Sequence, residues 1–409
     1  MRVLLLVDCY LPHPKSQAKL IHDLGVALGA EGHAVAIAAP SENVRAGVEV
    51  SDEDGMRVAR VRGPRIKGAS KVMRAIHEER LSSLMWRRGR SFFEGERFDL
   101  VVYYSPTIFF ARLVRRLKRL WACPAYLILR DIFPQWAVDA GVLRKGVVWR
   151  FFRRRELQQY AAADVIAVQS PRNLDYFRTA LGRRRYRLEV LYNWTLPEDG
   201  DVPRARERGA LRARLGLTDE VIFFYGGNIG VAQDMDNIVR LARAFPREPR
   251  ALFLLVGDGS EVERLSAKIR DERIDNVRIL PAVGQGEYLA MLREVDVGLI
   301  SLDRRLKTQN FPGKMLGYMQ TGLPMLASFN PGNDIGRLIA DAQAGLCAEN
   351  GEDCELLDHA VALARDPGLR RTMGQNGRRL LEARFTAQAA ARQVVSRWAP
   401  APSAREAAQ

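Results

Sequence analysis

The sequence predicts an α/β protein made of two doubly wound, Rossmann-like domains that face each other across a cleft. Short, nearly uninterrupted apolar runs alternate with helical stretches in both halves of the 409-residue chain. Such runs are typical of parallel strands that are buried on both faces. A polar segment with two prolines, residues 196–212, separates the two series and is the predicted linker.

The first half begins with a predicted strand at residues 2–8 and a helix at 17–31, in which Leu20, Leu24 and Leu28 share one face. Further apolar runs predict the other strands of this domain: HAVAIAA (33–39), DLVVYYS (99–105), PAYLILR (124–130), DVIAVQS (164–170) and LEVLYN (188–193). In such sheets ligands bind beyond the carboxyl ends of the strands, so the turns after these runs are candidates for function.

The pattern restarts after the linker. Apolar runs followed by helical segments predict a second parallel sheet: VIFFYGG (221–227), ALFLLVG (251–257), NVRILPA (276–282), DVGLISL (296–302) and LPMLASF (323–329). We therefore place one domain at residues 1–197 and the other at 198–383. An Ala-rich helix within residues 384–398 is expected to cross back to the first domain, and residues 399–409 to form a disordered tail.

Net charge is divided unevenly between the two halves. The formal net charge is +15; residues 1–190 hold 34 Lys and Arg against 19 Asp and Glu, whereas residues 191–409 hold 29 of each. Basic residues are mixed with Trp, Phe, Leu and Met in three segments, 57–90, 111–121 and 143–157. This mixture is typical of a surface that meets anionic lipid headgroups. Nucleic-acid binding is the rival interpretation, but no helix-turn-helix, zinc-finger or RNA-recognition signature supports it, and we expect no nucleic-acid partner. A solvated Arg-rich surface is the alternative without function.

The cysteines and the N-terminus bear on the cellular compartment. The four cysteines show no metal-binding spacing, which favours a reducing cytoplasm. The N-terminal apolar run stops at Asp8 and is too short for a signal peptide. The sequence contains no run of about 18 apolar residues, which is the length needed to span a bilayer. We therefore expect a cytoplasmic protein that binds the inner face of the cytoplasmic membrane peripherally.

Glycine-rich turns follow two strands of the second half, at residues 226–230 and 257–259. A third stretch, FPGK (311–314), opens a predicted helix that Gly322 and Pro324 end. Since strands of one sheet end at one edge, three such turns together indicate a phosphate-binding site.

The FPGK stretch has the residue types that a diphosphate site needs. Pro312 is tolerated at a helix entry, and Gly313 permits close approach of a ligand. The unpaired amides of the first helical turn favour an anion, and Lys314 adds a compact positive charge. Taken alone, the stretch is equally consistent with a helix whose ends are simply well marked.

Longer stretches resemble the glycosyltransferases of family 4, which are retaining transferases of the two-domain GT-B fold. The chain is most similar to the fucosamine-transferase-like enzymes of bacterial O-antigen and capsule synthesis. The matching stretches are LRDIFPQWAVDAGVL (129–143), ADVIAVQSPRNLDYF (163–177), YGGNIGVAQDMDNI (225–238), VGDGSEVERL (256–265) and FPGKMLGYMQTGLP (311–324). The resemblance covers nearly the whole chain, and the combination of stretches is more specific than any one motif.

The resemblance implies that the second domain binds a nucleotide sugar, that the first binds the acceptor, and that no metal or other cofactor is needed. The donor-binding positions that it implies are Ser16, Gly227, Asn228, Gln233, Gly257, Asp258, Gly259, Ala282, Val283, Gln309, Asn310, Pro312, Gly313, Lys314, Met315 and Leu316. The acceptor or cleft positions are Lys15, Gln17, Arg130, Asp131 and Trp136. Lys314 would stabilise the diphosphate together with backbone amides.

Several positions depart from the family's pattern. Lys15-Ser16-Gln17 stands where relatives have Gly-Gly, and Arg130-Asp131 stands where many have His-Asp. Asn228 and Gln233 stand where many relatives have Arg and Lys, so diphosphate binding would depend more on Lys314. Gln309 and Gly317 stand where relatives have a pair of Glu residues. Gly317 has no side chain that could bind a ribose.

Asp131 is the candidate for acid–base chemistry or acceptor positioning, because it follows the predicted strand at 124–130. The alternative is that Asp131 is the N-cap of a helix. Arg130 would contact a phosphate or form a structural ion pair. Asp234-Met235-Asp236 has the form of a metal-binding DxD, but carboxylates at the start of a helix explain it, and we expect no metal.

These observations and the resemblance predict a retaining hexosyltransferase. It would pass a sugar from a nucleotide sugar, UDP-linked in preference to GDP-linked, to an undecaprenyl-diphosphate-linked saccharide in bacterial surface polysaccharide synthesis. Two alternatives stay open. One is a GT-B-fold epimerase or hydrolase of nucleotide sugars, and the other is a basic protein that binds nucleic acid or membrane without catalysis.

Overall fold

The computed structural model describes residues 1–13, 16–63, 71–139, 141–181, 186–196, 209–306 and 311–398, and only the backbone of 16 and 71–76. The chain divides into two compact units. The first unit is Met1–Leu196 with the chain from Thr386 onward, and the second is Pro197–Phe385. Parallel strands alternate with helices in both, which confirms the predicted α/β class.

The first unit is built on a sheet that has eight strands among the described residues, in the order β3-β4-β2-β1-β5-β6-β7-β8. Its strands are β1 (Arg2–Leu6), β2 (Ala34–Ser41), β3 (Val48–Glu53), β4 (Met56–Arg62), β5 (Leu100–Tyr104), β6 (Ala125–Leu129), β7 (Val165–Val168) and β8 (Leu188–Val190). Its helices before the linker are α1 (Ser16–Ala30), α2 (Lys71–Gly95), α3 (Ala111–Trp121), α4 (Gln135–Asp139), α5 (Val147–Tyr160) and α6 (Pro171–Ala180). All neighbours are parallel except β3 and β4.

Both faces of this sheet are buried. Leu4 and Leu6 of β1 belong to one hydrophobic cluster, whereas Val3 and Leu5 belong to another, and all four are fully buried. Successive side chains of a strand point to opposite faces, so a strand covered on both sides must be apolar throughout. This is why the apolar runs revealed the strands.

The second unit has a parallel sheet, six-stranded among the described residues, in the order β11-β10-β9-β12-β13-β14. Its strands are β9 (Val221–Gly226), β10 (Ala251–Val256), β11 (Val277–Leu280), β12 (Val297–Ser301), β13 (Met325–Phe329) and β14 (Gly345–Glu349). Its helices are α7 (Ala210–Leu215), α8 (Met235–Ala244), α9 (Val262–Asp271), α10 (Gln285–Glu294), α11 (Lys314–Gln320), α12 (Asp334–Asp341), α13 (Asp353–Arg365) and α14 (Pro367–Arg384), with a 3₁₀ turn at Val231–Gln233.

The last helix, α15 (Ala387–Val395), packs within the first unit. Ala387, Ala391 and Val394 are fully buried in the cluster that also holds Leu24 and Leu28 of α1. These positions recur every three or four residues, which places them on one face of the helix.

Three strands were not predicted. β3 and β4 form an antiparallel hairpin around Asp54 and Gly55, both of which have positive φ. Such an Asp-Gly turn is a hairpin signal, but β3 is an edge strand whose residues are mostly exposed and polar, so it has no apolar run. β14 is only partly buried and ends on the exposed Glu349, so its sequence, GLCAE, is not a fully apolar run.

Two predicted segments, the linker and the C-terminal tail, lie wholly or mostly outside the residues that the structure describes. Of the predicted linker, residues 197–208 lie outside the described residues, as does the predicted tail at 399–409. Within the described part of the chain, no helix is long and apolar enough to cross a membrane.

Candidate functional site

The strand order of the second unit identifies its ligand-binding edge. From β9 the chain continues outward through β10 to β11, and then returns to place β12 on the other side of β9. In open α/β sheets ligands bind at the carboxyl ends of the strands where the order reverses, which here is between β9 and β12. The turn after β9 and the helix α11, which follows β12, meet at this point.

Two glycine turns are locked together at this edge. A Cβ atom on Gly257 would lie 1.8 Å from the carbonyl oxygen of Gly227, and one on Gly259 would lie 2.1 Å from that of Ile229. Gly227 also has φ +127°, which other residues rarely adopt. Only glycine at these positions lets the two turns approach so closely, and the Ile229 amide then donates to the carbonyl oxygen of Asp258 at 2.8 Å.

Asn228 and Gln233 bind each other. The Asn228 side-chain amide donates to Oε1 of Gln233 at 2.8 Å, and the Gly230 amide donates to the same oxygen at 3.2 Å. The Tyr225 hydroxyl donates to the Asn228 carbonyl oxygen at 2.6 Å. Gln233 therefore orders the turn through its carbonyl oxygen and brings no positive charge to it.

Lys314 is a cation without a carboxylate partner among the described residues. Its Nζ lies 3.8 Å from the centre of the Tyr225 ring, and its Cε lies 3.7 Å from where a Cβ of Gly227 would stand. Burial lowers the pKa of this ammonium from its ordinary value of 10.5 to about 7. A desolvated ammonium beside a glycine turn is suited to an anionic ligand, because the ligand would supply the missing counter-charge.

The amides at the start of α11 differ from the prediction. Met315 N donates to the Pro312 carbonyl oxygen at 3.0 Å, and Leu316 N donates to that of Gly313 at 3.2 Å, so neither is unpaired. The tight turn at Pro312 and Gly313 uses these donors itself. A Cβ on Gly313 would meet nothing within 4 Å, so the fold does not require glycine there.

The helix stop was predicted correctly. Gly322 has φ +61°, its amide donates to the Met319 carbonyl oxygen, and Leu323 N donates to that of Tyr318. This is the left-handed cap that glycine favours.

The remaining predicted donor positions lie either on the turn after β11 or outside the described residues. Ala282 and Val283 follow β11 at the same sheet edge and are exposed and half-buried respectively. Lys15, Gln309 and Asn310 lie outside the described residues, as does the side chain of Ser16.

The first unit has a cavity of about 1030 Å³ at its own point of reversal, between β1 and β5. The turn after β1 contributes Asp8 and Tyr10, and the turn after β5 contributes Thr107. Asp131 and Trp136 also line the cavity. The structure thus places the two predicted residues in one cavity with residues from the turns after β1 and β5, which are distant from them in sequence.

Carboxylates outnumber cations among the described lining residues. The acidic ones are Asp8, Glu42, Glu49, Glu53, Glu78 and Asp131. The basic one is Arg60, which binds Glu53 and thereby lowers the pKa of that carboxyl. Burial raises the pKa of Asp131 above its ordinary value, although the neighbouring Arg130 opposes the shift. Sequence patterns gave no signal for Tyr10, Glu53 or Arg60, since they come from separate loops and strands.

Arg130 and Gln17 are used by the fold rather than presented to the cavity. The buried Arg130 guanidinium donates to the carbonyl oxygens of Leu191 and Tyr192 and stacks on Trp194. Gln17 is also buried and donates to Asp8 Oδ1 at 2.7 Å. Neither of the two interactions predicted for Arg130, a phosphate contact or an ion pair, describes these hydrogen bonds.

The DxD carboxylates are likewise satisfied internally. Asp236 binds Arg264 and Lys268, which lowers the pKa of its carboxyl, and Asp234 accepts from Asn350. The described residues contain no group of three or more His, Cys, Asp or Glu that could hold a metal ion.

Two family models match the chain. Residues 17–194 match "Glycosyl transferase 4-like domain", and residues 207–380 match "Glycosyl transferases group 1".

Curated relatives match parts of the chain. "Probable glycosyltransferase WbjE" of Pseudomonas aeruginosa is 26% identical over 54% of this chain and 54% of the relative. "Putative colanic acid biosynthesis glycosyl transferase WcaI" of Escherichia coli is 23% identical over 59% of this chain and 60% of the relative. The matches thus span little more than half the length of these relatives.

Solved structures match over nearly the whole chain. Sucrose-phosphate synthase from Thermosynechococcus elongatus has a TM-score of 0.72 at 18% identity, covering 97% of this chain and 98% of that one. Anabaena HepE in complex with UDP-glucose has a TM-score of 0.68 at 15% identity, covering 97% and 99%. At these low identities, the similarity shows a shared fold.

Proposed function

Because the chain belongs to the glycosyltransferases, with a glycosyl transferase 4-like domain followed by a group 1 domain on a GT-B fold, we propose that it transfers a sugar from a nucleotide sugar to a saccharide acceptor. The observation that carries this proposal is the desolvated Lys314 at the locked glycine turns. It stands at the point of strand reversal in the second unit, without a carboxylate partner among the described residues. A diphosphate would supply the missing negative charge.

The donor is proposed to be UDP-linked. HepE, whose fold this chain shares, was solved with UDP-glucose. The diphosphate would lie against Lys314, and the nucleoside would extend across the ends of β10 and β11 toward Ala282 and Val283. The sugar's bond to the diphosphate would break as its bond to an acceptor hydroxyl forms.

The acceptor is proposed to bind in the cavity of the first unit. Its carboxylates suit the hydroxyl groups of a saccharide, and its aromatic residues Tyr10, Phe133 and Trp136 suit the apolar faces of sugar rings. Asp131 would accept the proton of the attacking hydroxyl. The name of WcaI, which refers to colanic acid biosynthesis, supports a bacterial surface polysaccharide as the product. The undecaprenyl-diphosphate carrier of the acceptor is proposed from the resemblance alone.

Retention of the anomeric configuration and membership of the fucosamine-transferase-like subgroup are parts of the proposal that rest on the resemblance alone. Proton NMR of the product would test the first, and an activity assay with UDP-linked N-acetylfucosamine would test the second. Inversion at the anomeric carbon would contradict the first, and failure to use a UDP-linked N-acetylfucosamine would contradict the second.

Melting curves with nucleotides test the donor site. We expect UDP to raise the free energy of unfolding by roughly 2.7 kcal/mol at about 100 times its dissociation constant. GDP should have a smaller effect at the same concentration, and uridine, which lacks the diphosphate, should have almost none. Equal shifts with UDP and uridine would contradict a diphosphate site, and no shift with either nucleotide would contradict the proposal as a whole.

We also propose peripheral membrane binding, through a narrower surface than the sequence predicted. Several basic residues of the predicted segments are occupied internally: Arg57 binds Glu96, Arg155 binds Glu79, and Lys118 binds Asp164. A different set stays exposed around the start of α5 and forms what we call the α5 patch. It consists of the apolar Val142, Val147, Val148 and Phe151 with the basic Arg144, Lys145, Arg150 and Arg154.

The α5 patch combines the two features that hold a protein at an anionic bilayer. Val142 and Val147 are 75% and 73% exposed, which is unusual for large apolar side chains unless they meet another surface. Arg144, Arg150 and Arg154 have no carboxylate partner among the described residues. Each cation near an acidic leaflet contributes about 1 kcal/mol.

Vesicle sedimentation tests this surface. The double charge reversal Arg150→Glu with Arg154→Glu should lower binding to phosphatidylglycerol vesicles by roughly 30-fold or more, since it reverses two favourable charges. The same reversal at the exposed Arg247 and Arg371 of the second unit is the matched control and should have little effect. Equal losses from both pairs, or binding that persists in 0.5 M salt, would contradict docking by the α5 patch.

A further inference from the structure

The hydroxyl of Tyr288 is not used by the fold. Tyr288 is half-buried on α10, and its hydroxyl has no hydrogen-bond partner in the part of the chain that the structure describes. Its two tyrosine neighbours differ: the Tyr225 hydroxyl donates to Asn228, and the Tyr318 hydroxyl lies 3.2 Å from the carbonyl oxygens of Phe224 and Leu299. The Tyr288 hydroxyl is not among the fully buried polar atoms that lack a partner, so it is open to solvent and available to a ligand.

The ring of Tyr288 lies between the turn after β9 and the helix that carries Lys314. It packs on Phe224 with ring centres 5.9 Å apart, and a Cβ on Gly226 would come 2.4 Å from it. On the other side, a Cβ on Gly317 would lie 3.6 Å from the ring and 3.7 Å from the hydroxyl oxygen. Gly317 is one helical turn beyond Lys314, so the hydroxyl lies beside the helix that carries the cation.

Under the proposed function, this position corresponds to the middle of the bound nucleotide. β9, β10 and β11 are adjacent, and two strand spacings make about 10 Å, a span that suits a nucleoside. With the diphosphate at Lys314 and the base at Ala282 and Val283, the ribose lies between them. Tyr288 belongs to the first turn of the helix that follows Val283, and Gly317 leaves the space beside its hydroxyl open.

We propose that the Tyr288 hydroxyl hydrogen-bonds a ribose hydroxyl of the donor nucleotide and so distinguishes ribonucleotides from deoxyribonucleotides. The inference rests on the proposed function, because it requires a nucleotide in the second unit. A phenol both donates and accepts, so it can bind either the 2′- or the 3′-hydroxyl. A hydroxyl of the transferred sugar offers the same chemistry, and the experiment separates the two sources.

The test measures dissociation constants of UDP, 2′-deoxy-UDP and 3′-deoxy-UDP by calorimetry, for the wild-type chain and for Tyr288→Phe. The variant keeps the ring, so its melting temperature without ligand should not change. We expect the wild-type chain to prefer UDP over one of the deoxynucleotides by about two- to tenfold, the scale of one neutral hydrogen bond. Tyr288→Phe should weaken UDP binding by the same factor and abolish the preference.

Three results would overturn the inference. A preference for the ribonucleotide that persists in Tyr288→Phe would place the discrimination elsewhere. A loss of affinity for UDP-glucose with none for UDP would assign the hydroxyl to the transferred sugar. Absence of binding of any uridine nucleotide to the wild-type chain would overturn the proposed UDP donor, and this inference with it.

Discussion

Replacement of Lys314 by methionine is expected to weaken nucleotide-sugar binding by about 1.5–3 kcal/mol, the scale of a hydrogen bond to a charged group. That is a factor of roughly 10 to 150 in the dissociation constant. Methionine keeps the stem that lies over the Tyr225 ring and removes only the ammonium. Calorimetry with UDP-glucose measures the loss, and Lys268→Met, which removes a cation bound to Asp236, is the matched control.

The same variant is expected to make the ligand-free protein more stable near pH 7. The pKa of Lys314 falls from 10.5 to about 7 on folding, so between these values the unfolded chain holds more protons than the folded one. Stability then rises with pH across this window, and the protonated ammonium is a cost to the fold at and below pH 7. Lys314→Met removes that cost, so weaker binding should accompany a higher melting temperature. Lower stability together with weaker binding would contradict this explanation.

The pH dependence of binding follows from the same shift. A bound diphosphate favours the ammonium, so nucleotide-sugar binding takes up a proton above pH 7. The dissociation constant should rise about tenfold per pH unit above pH 7 and be nearly constant just below it. Lys314→Met should flatten the profile. A wild-type profile that is already flat between pH 7 and 9 would show that Lys314 does not meet the diphosphate.

Replacement of Asp131 by asparagine is expected to lower turnover by about 10²- to 10⁴-fold, the range for loss of a positioned general base. The amide keeps the size of the side chain but cannot accept a proton. Because burial raises the pKa of Asp131, wild-type activity should fall on acidification at a higher pH than an ordinary aspartate would give. Steady-state kinetics with donor and acceptor varied separately measures the effect.

A nearby carboxylate provides the control for Asp131. Asp139 lies on α4, accepts a hydrogen bond from Gln135 at 2.8 Å and is not among the lining residues of the cavity. Asp139→Asn should therefore leave turnover nearly unchanged. If Asp131→Asn raised only the KM for the acceptor and left kcat intact, Asp131 would be a positioning residue rather than the base.

Local sequence patterns determined most of the fold. Strands covered on both faces must be apolar at every position, and for this reason runs such as residues 99–105 and 251–257 were visible without the structure. The glycine turns were visible for a similar reason, since Gly227 and Gly322 have backbone angles that favour glycine. The edge strand β3 was not visible, because it is mostly exposed and has no apolar run.

Tertiary structure decided what the candidate site residues do, because each role depends on partners that are distant in sequence. Arg130 lies at the end of a strand, as predicted. Its guanidinium nevertheless donates hydrogen bonds to the carbonyl oxygens of Leu191 and Tyr192, about sixty residues away in sequence. Lys314 has a lowered pKa only because the fold buries it beside Tyr225, away from any described carboxylate. A sequence shows which residues follow each strand, whereas burial and hydrogen-bond partners exist only once the strands are assembled.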